Sequence, residues 1–219
     1  MKALKEIATT FVILFFFYAV PNILPVNAGH AANEYLPVAV LAVGFLLLFF
    51  FQPAVNMADF VAHADDRYSM AAILLAGAAG QWLIQWEWIA SDRPGIDPES
   101  RQMWAGLGLM IGGLVIRAVV FRKLWQRFTT AVRSVDDKRL ITDGPYRLVR
   151  HPAYAGAILY TIGTGVFLGG TWSAVIVGIL TIVVYDYRIR VEEQFLLRQF
   201  PGTYAAYRKR TARVFPCIW

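Results

Sequence analysis

Cysteine is almost absent from these 219 residues, and the single one, Cys217, excludes an intrachain disulfide and any metal site built on paired thiolates. It stands third from the end rather than fourth, so the ending does not read as a prenylation box. Charge is scarce too. Only 16% of residues are Asp, Glu, Lys or Arg while 58% are hydrophobic, against about a quarter and about half in soluble domains. That balance excludes water as the main solvent. No self-similarity with a period of 20 to 50 residues is present, which excludes a solenoid or propeller. The net charge of +6 brings no nucleic-acid motif with it, and the basic residues flank apolar runs, so anionic lipid and topology account for them. The loop from 53 to 68 holds Asp59, His63, Asp65 and Asp66. Such a group in a short polar loop is ordinarily solvated, and no metal site is assigned to it or elsewhere.

What is present is a series of apolar blocks about as long as the ~20 residues that cross a bilayer. They run over 6 to 24, 35 to 52, 69 to 90, 103 to 121, 152 to 169 and 172 to 187. The fold class read from them is all-α, a polytopic membrane helical bundle of five to six transmembrane helices with a cytoplasmic helical tail. The open choice between five and six lies in the last two blocks, which Gly169-Gly170-Thr171 divides, because Gly-Gly within an apolar run is a natural turn. Lys and Arg concentrate between Arg122 and Arg150 and between Arg188 and Arg213, so both segments are expected in the cytoplasm. With six spans, Lys2, Lys5 and the N-terminus fall on that side as well. Trp82, Trp86 and Trp88 then mark the outer interface of the third span. A signal peptide is the alternative for the first block, but a span there keeps both basic ends on one side. Of the two ionisable groups inside spans, Glu87 and Arg117, each lies near a span end, where snorkelling to the headgroups is the plain expectation.

The chemistry concentrates after Gly113. In ITDGPYRLVRHPAYAG, Gly144-Pro145 signals a turn and Pro152 suits the first turn of a helix. Arg150, His151 and, one turn on, Tyr154 are thereby set around the cytoplasmic mouth of a span, where free helix amides favour an anionic group. In YDYRIRVEEQFLLRQF, Arg188 and Glu192 are four apart and share a face. Glu192 and Glu193 are adjacent, about 100° apart around the helix, and serve different partners. Taken alone, this second stretch also reads as a solvated amphipathic helix.

The ordered set of motifs resembles the isoprenylcysteine carboxyl methyltransferase family. Gly113 to Arg117 supplies its Gly-x-x-x-Arg, Gly144 and Tyr146 its Gly-x-Tyr, Arg150 to Gly156 its Arg-His-Pro-x-Tyr-x-Gly, and Arg188 to Leu196 its Arg-x-x-x-Glu-Glu-x-x-Leu. Tyr204, Tyr207, Arg210 and Pro216 echo its ending. The likeness covers Gly113 to Trp219, and no usable likeness precedes it. The chain is accordingly read as one membrane domain, with N-terminal transmembrane helices over 1 to 105 and a cofactor-binding catalytic half over 106 to 219.

The resemblance implies S-adenosyl-L-methionine as cofactor, with Tyr146, His151, Tyr154, Gly156 and Glu193 at its site. It implies Arg188, Glu192 and Arg150 as catalytic residues, Arg188 holding an acceptor carboxylate and Glu192 fixing that arginine. A zwitterionic sulfonium asks for cationic donors, a carboxylate and aromatic walls, which these residues supply. The expected substrate is a lipophilic small molecule or a prenylated protein, with membrane lipid as the other partner and no nucleic acid. Phosphatidylethanolamine methyltransferases share the paired glutamates, and Gly106 and Gly108 echo their Gly-x-Gly. Two competing readings are a nicotinamide-dependent steroid reductase, which resembles the Arg-His-Pro-x-Tyr segment, and a non-enzymatic scaffold or transporter. Ala153 and Ala157 depart from the reductase pattern, and charges gathered at one end depart from a transporter's midplane site.

Overall fold

A computed structural model describes residues 36–50, 68–91, 97–125 and 140–216. They form six α-helices and one short turn of tighter helix, in the order α1 Leu36–Phe50, α2 Ser69–Ala90, α3 Arg101–Trp125, the 3-10 turn Gly144–Arg147, α4 Pro152–Phe167, α5 Trp172–Gln199 and α6 Pro201–Lys209. Each apolar block from the second onward has become a helix, and α5 continues past its apolar stretch into the basic tail. The block at 6 to 24, the Asp and His residues of the 53 to 68 loop, and Cys217 lie outside the described residues.

Local chemistry accounts for the breaks. His151 is the residue before α4 and Pro152 its first helical residue, where a missing N–H costs nothing. At the other end of α4, Gly169 takes a φ of 74°. Its N–H bonds the Val166 carbonyl at 3.1 Å, and that of Gly170 bonds Gly165 at 2.9 Å. This pairing closes orphan carbonyls and lets the chain reverse into α5, so Gly169-Gly170 is a turn between two antiparallel helices.

The α3 and α4 helices meet along a seam of small residues. A β-carbon on Gly113 would collide with the carbonyl of Gly156, and one on Gly163 would lie 2.8 Å from the Met110 nitrogen. The backbones therefore touch, which is how helices gain dispersion contact when the surroundings are as apolar as their side chains. In the same way Gly80 of α2 admits Val177 of α5. Leu41, Ile84, Met110, Tyr160, Phe167 and Val177 fill the space between.

The exterior is apolar. Val175, Ile176, Ile179, Ile182 and Val183 of α5 and Ile111, Val115 and Val119 of α3 are all exposed. A soluble monomer seldom shows a contiguous apolar patch beyond a few hundred Å²; facing lipid, the same surface is ordinary. Among the described residues α3 alone, over Arg101–Lys123, is both long and apolar enough to cross a bilayer unaided.

Polar groups inside the bundle mark its two ends. Glu87 does not snorkel. It is 6% exposed, and its carboxylate accepts the backbone N–H groups of Thr171 at 3.1 Å, Trp172 at 3.4 Å and Ser173 at 3.0 Å. The start of α5 presents amides that lack partners within the helix, and they draw the carboxylate inward more strongly than the interface draws it outward. Arg117 is buried too and donates to the Ala153 carbonyl, 3.2 Å away in the first turn of α4. Ser69 and Arg188 meet at the opposite end from Glu87 and Thr171, so α2 runs antiparallel to α5.

Candidate active site

The end of the bundle that carries Ser69 and Arg188 gathers the motifs. The 3-10 turn begins at Gly144, whose φ of 62° favours glycine, and leads into the short connecting segment from Leu148 to His151. That segment pairs with the tail: Ala212 N–H bonds Leu148 O at 3.1 Å, Arg150 N–H bonds Ala212 O at 2.9 Å and His151 N–H bonds Arg213 O at 3.0 Å. The Tyr207 hydroxyl adds a bond to the Tyr146 carbonyl at 2.6 Å. The tail is thus fastened beside the entrance of α4, and the end of α5 faces it.

Within this frame Glu192 and Glu193 go to different partners. The Arg188 Nε donates to Glu192 Oε1 at 2.8 Å, and the Tyr154 hydroxyl donates to the same oxygen at 2.5 Å. Arg150 Nε donates to Glu193 at 2.8 Å, with its Nη1 turned to the Arg208 and Thr211 carbonyls. His151 lies between the carboxylates, Nδ1 3.5 Å from Glu192 and Nε2 3.4 Å from Glu193. The Nε2 is buried, and its N–H is not aligned on a partner. Tyr154 stacks on His151 with centroids 5.7 Å apart and meets Tyr185 at 4.8 Å.

Burial and pairing oppose one another here. Burial alone would push the Glu193 carboxyl up, but His151 and Arg150 outweigh it and hold the group at about 2. Burial would likewise raise Glu192, and His151 with Arg188 brings it below the usual carboxylate range. Desolvation lowers the His151 imidazolium, yet the two glutamates prevail and raise it. Burial pushes Tyr207 up to about 12 and Tyr146 higher still, so both phenols stay protonated. The result is a nest of fixed charges in which acids and bases alternate.

The structure brings Arg150, His151, Tyr154, Arg188, Glu192 and Glu193 into one cluster. Tyr146 stands behind it, tied by its carbonyl to Tyr207. Gly156 sits apart from these contacts, in the α3–α4 seam, where a β-carbon would lie 2.6 Å from the Gly113 carbonyl and 2.9 Å from the Arg117 Cγ. Sequence reasoning missed three contributors. Ser69 accepts a 2.8 Å bond from Arg188, Tyr185 walls Tyr154, and Asp186 takes Arg213 at 2.7 Å, itself 3.7 Å from Glu193. The i, i+3 spacing of Tyr185 and Arg188 was the one available signal.

Fold and site together define an all-helical bundle with an apolar exterior suited to lipid, whose ionised cluster sits at one mouth of the bundle, built from α4, α5 and the tail. The model of the isoprenylcysteine carboxyl methyltransferase family matches residues 106–198, and this segment, which carries most of that cluster, is similar to that family. A rice (Oryza sativa subsp. indica) relative named as a probable protein-S-isoprenylcysteine O-methyltransferase is 34% identical over 127 residues, 55% of this chain and 66% of the relative. Protein-S-isoprenylcysteine O-methyltransferase B of Arabidopsis thaliana is 26% identical over 182 residues, 80% of this chain and 91% of its own. The solved structure of a eukaryotic intramembrane Ras methyltransferase of the family aligns with 97% of this chain and 86% of its own, at a TM-score of 0.41 and 16% identity. The chain thus spans just under two thirds of the rice relative and most of the Arabidopsis one.

Proposed function

We propose that the protein is an S-adenosylmethionine-dependent methyltransferase that works at the membrane surface on a lipophilic acceptor, esterifying the carboxylate of an isoprenylcysteine-like substrate. The observation that carries this reading is the adjacent pair Glu192, half-buried, and Glu193, buried, held by Arg188, Arg150 and His151 inside the segment matched to the family. The donor set fits the cofactor. The His151 Nε2–H is buried without an aligned acceptor and suits a carboxylate; Glu193 suits an ammonium; Tyr154 offers an aromatic face to a sulfonium or an adenine. When bound, the cofactor supplies an electrophilic methyl group.

The chain's residues do the rest by placement. Arg188 offers its guanidinium to the acceptor carboxylate while Glu192 keeps that guanidinium in one orientation, so the nucleophilic oxygen is aimed rather than merely attracted. Arg150 holds Glu193 and the tail together, keeping the cofactor side of the cluster dry. Tyr146 supports the tail through Tyr207, and Gly156 contributes by letting α3 approach. No proton must move, because a carboxylate is already the nucleophile. The membrane reading extends to five or six spans with both termini in the cytoplasm, and to a prenylated protein as the acceptor in the cell.

Calorimetric titration of detergent-purified protein with S-adenosylhomocysteine and, separately, a reduced nicotinamide tests the cofactor. Incubation with radiolabelled S-adenosylmethionine and an amine-blocked farnesylcysteine tests the acceptor by release of base-labile methyl ester. Saturable binding of the first ligand alone together with ester formation is expected. Binding of neither, or of the nicotinamide alone, overturns the proposal.

A further inference from the structure

The end of α2 nearest the cluster belongs to the half of the chain that precedes the family match. Its first residue, Ser69, is fully buried. The residue before it, Tyr68, is exposed and takes a φ of 58°, a left-handed conformation that a bulky side chain seldom adopts. That turn sends the tyrosine out and the serine in. Ser69 Oγ accepts from Arg188 Nη1 at 2.8 Å, while Arg188 Nε is held by Glu192 at 2.8 Å and lies 3.4 Å from the Tyr154 hydroxyl. A guanidinium is a rigid planar fork, so grips on Nε and Nη1 from two different helices fix its plane as well as its position.

The position of Ser69 is itself set from afar. Glu87 fastens the other end of α2 to the start of α5, about 27 Å away at 1.5 Å per residue, and Gly80 admits Val177 between them. The α2 helix cannot slide along α5 without breaking one of these contacts. It is a strut of fixed length.

We infer that Ser69 is a positioning residue for the methyl acceptor, acting through Arg188, so that the N-terminal half of the chain sets the geometry of a site its own sequence does not advertise. The inference rests on the role proposed above for Arg188. Its test compares wild type with Ser69→Ala, Ser69→Thr, Arg188→Lys and the Ser69→Ala/Arg188→Lys double variant, reading kcat and KM for amine-blocked farnesylcysteine, affinity for S-adenosylhomocysteine, and thermal midpoint. Removing one hydrogen bond to a charged group is expected to lower kcat/KM for the acceptor about tenfold, with cofactor affinity within about twofold. Ser69→Thr, which keeps the hydroxyl, is expected to retain most activity. In the Arg188→Lys background, Ser69→Ala is expected to change kcat/KM less than twofold, since residues acting through one another are not additive.

Normal turnover by Ser69→Ala overturns the inference and leaves the functional proposal standing. Equal loss of cofactor affinity and turnover in both the alanine and threonine variants also overturns it, because that pattern belongs to a general packing role. If wild type neither binds S-adenosylhomocysteine nor forms the ester, both fall together.

Discussion

The bundle buries carboxylates at both ends, and the two ends satisfy them differently. Glu87 is held by three backbone amides of one helix start. Glu192 and Glu193 are held by side chains, chiefly Arg188, Arg150, His151 and Tyr154. Backbone donors cannot turn away, so the first arrangement is closed and its use is to fasten α2 to α5. Side-chain donors can turn and exchange partners with an incoming zwitterion, so the second is open to ligands without leaving any charge unpaired while it waits. Buried charge alone does not mark a site; whether its partners are side chains, which a ligand can take over, does.

The sharpest way to break that contrast is Arg188→Ala. It is expected to cut turnover a hundredfold or more in the ester assay while moving S-adenosylhomocysteine affinity by only a few fold. A near-normal rate would show that the Glu192 partner is structural, like those of Glu87. Next in size, Glu87→Ala leaves the amides of Thr171 and Ser173 short of an acceptor in a buried place, and a loss of about 1–3 kcal/mol is expected, read as a lowered thermal midpoint with cofactor affinity little changed. Weakened cofactor binding at unchanged stability would erase the difference between the two ends.

A third test uses pH. The raised imidazolium of His151 contributes stability that is fully present below its ordinary value near 6.5 and is lost as pH climbs through the higher folded value. Glu193 runs the other way: its contribution is present above the ordinary 4.5 and is lost as pH falls towards about 2. Thermal midpoints measured from pH 3 to 9 are therefore expected to peak between roughly 4.5 and 6.5 as far as this cluster is concerned. His151→Gln should flatten the alkaline limb and, because His151 is one of the groups that hold Glu193 low, weaken the acidic limb as well. An unchanged alkaline limb would remove His151 from the charge balance. Smallest of all, Tyr207→Phe removes the bond to the Tyr146 carbonyl and is expected to lower stability by about 1 kcal/mol; an effect several times larger would mean that the tail is fastened mainly there.

Much of this arrangement is written locally and could be read before any coordinates. The helices α2 to α5 follow from apolar block length, the turn at Gly169 from a glycine pair, the start of α4 from Pro152, and the Arg188–Glu192 pair from a spacing of four. What could not be read depends on contacts between helices far apart in sequence. Nothing in its neighbourhood singles out Ser69 until α2 packs on α5, and Glu87 among its tryptophans looks like an interface residue until the α5 amides arrive beside it. Gly156 belongs to a family motif, but a motif does not say whether a glycine faces a ligand or another glycine. The tail shows the same limit: its basic residues predict a side of the membrane, whereas the pairing of Ala212 with Val149 is a matter of backbone, to which composition is nearly blind.

That pairing imposes an order on biosynthesis. Arg150 and His151 leave the ribosome roughly sixty residues before the tail residues that bind them, a delay of several seconds at about 5–20 residues per second. Until Ala212 and Arg213 arrive, the segment before α4 lacks its partner and Arg150 lacks the tail carbonyls it binds. The α4 and α5 helices therefore emerge with the mouth between them unfinished, and it is assembled only once Ala212 and Arg213 have followed them out.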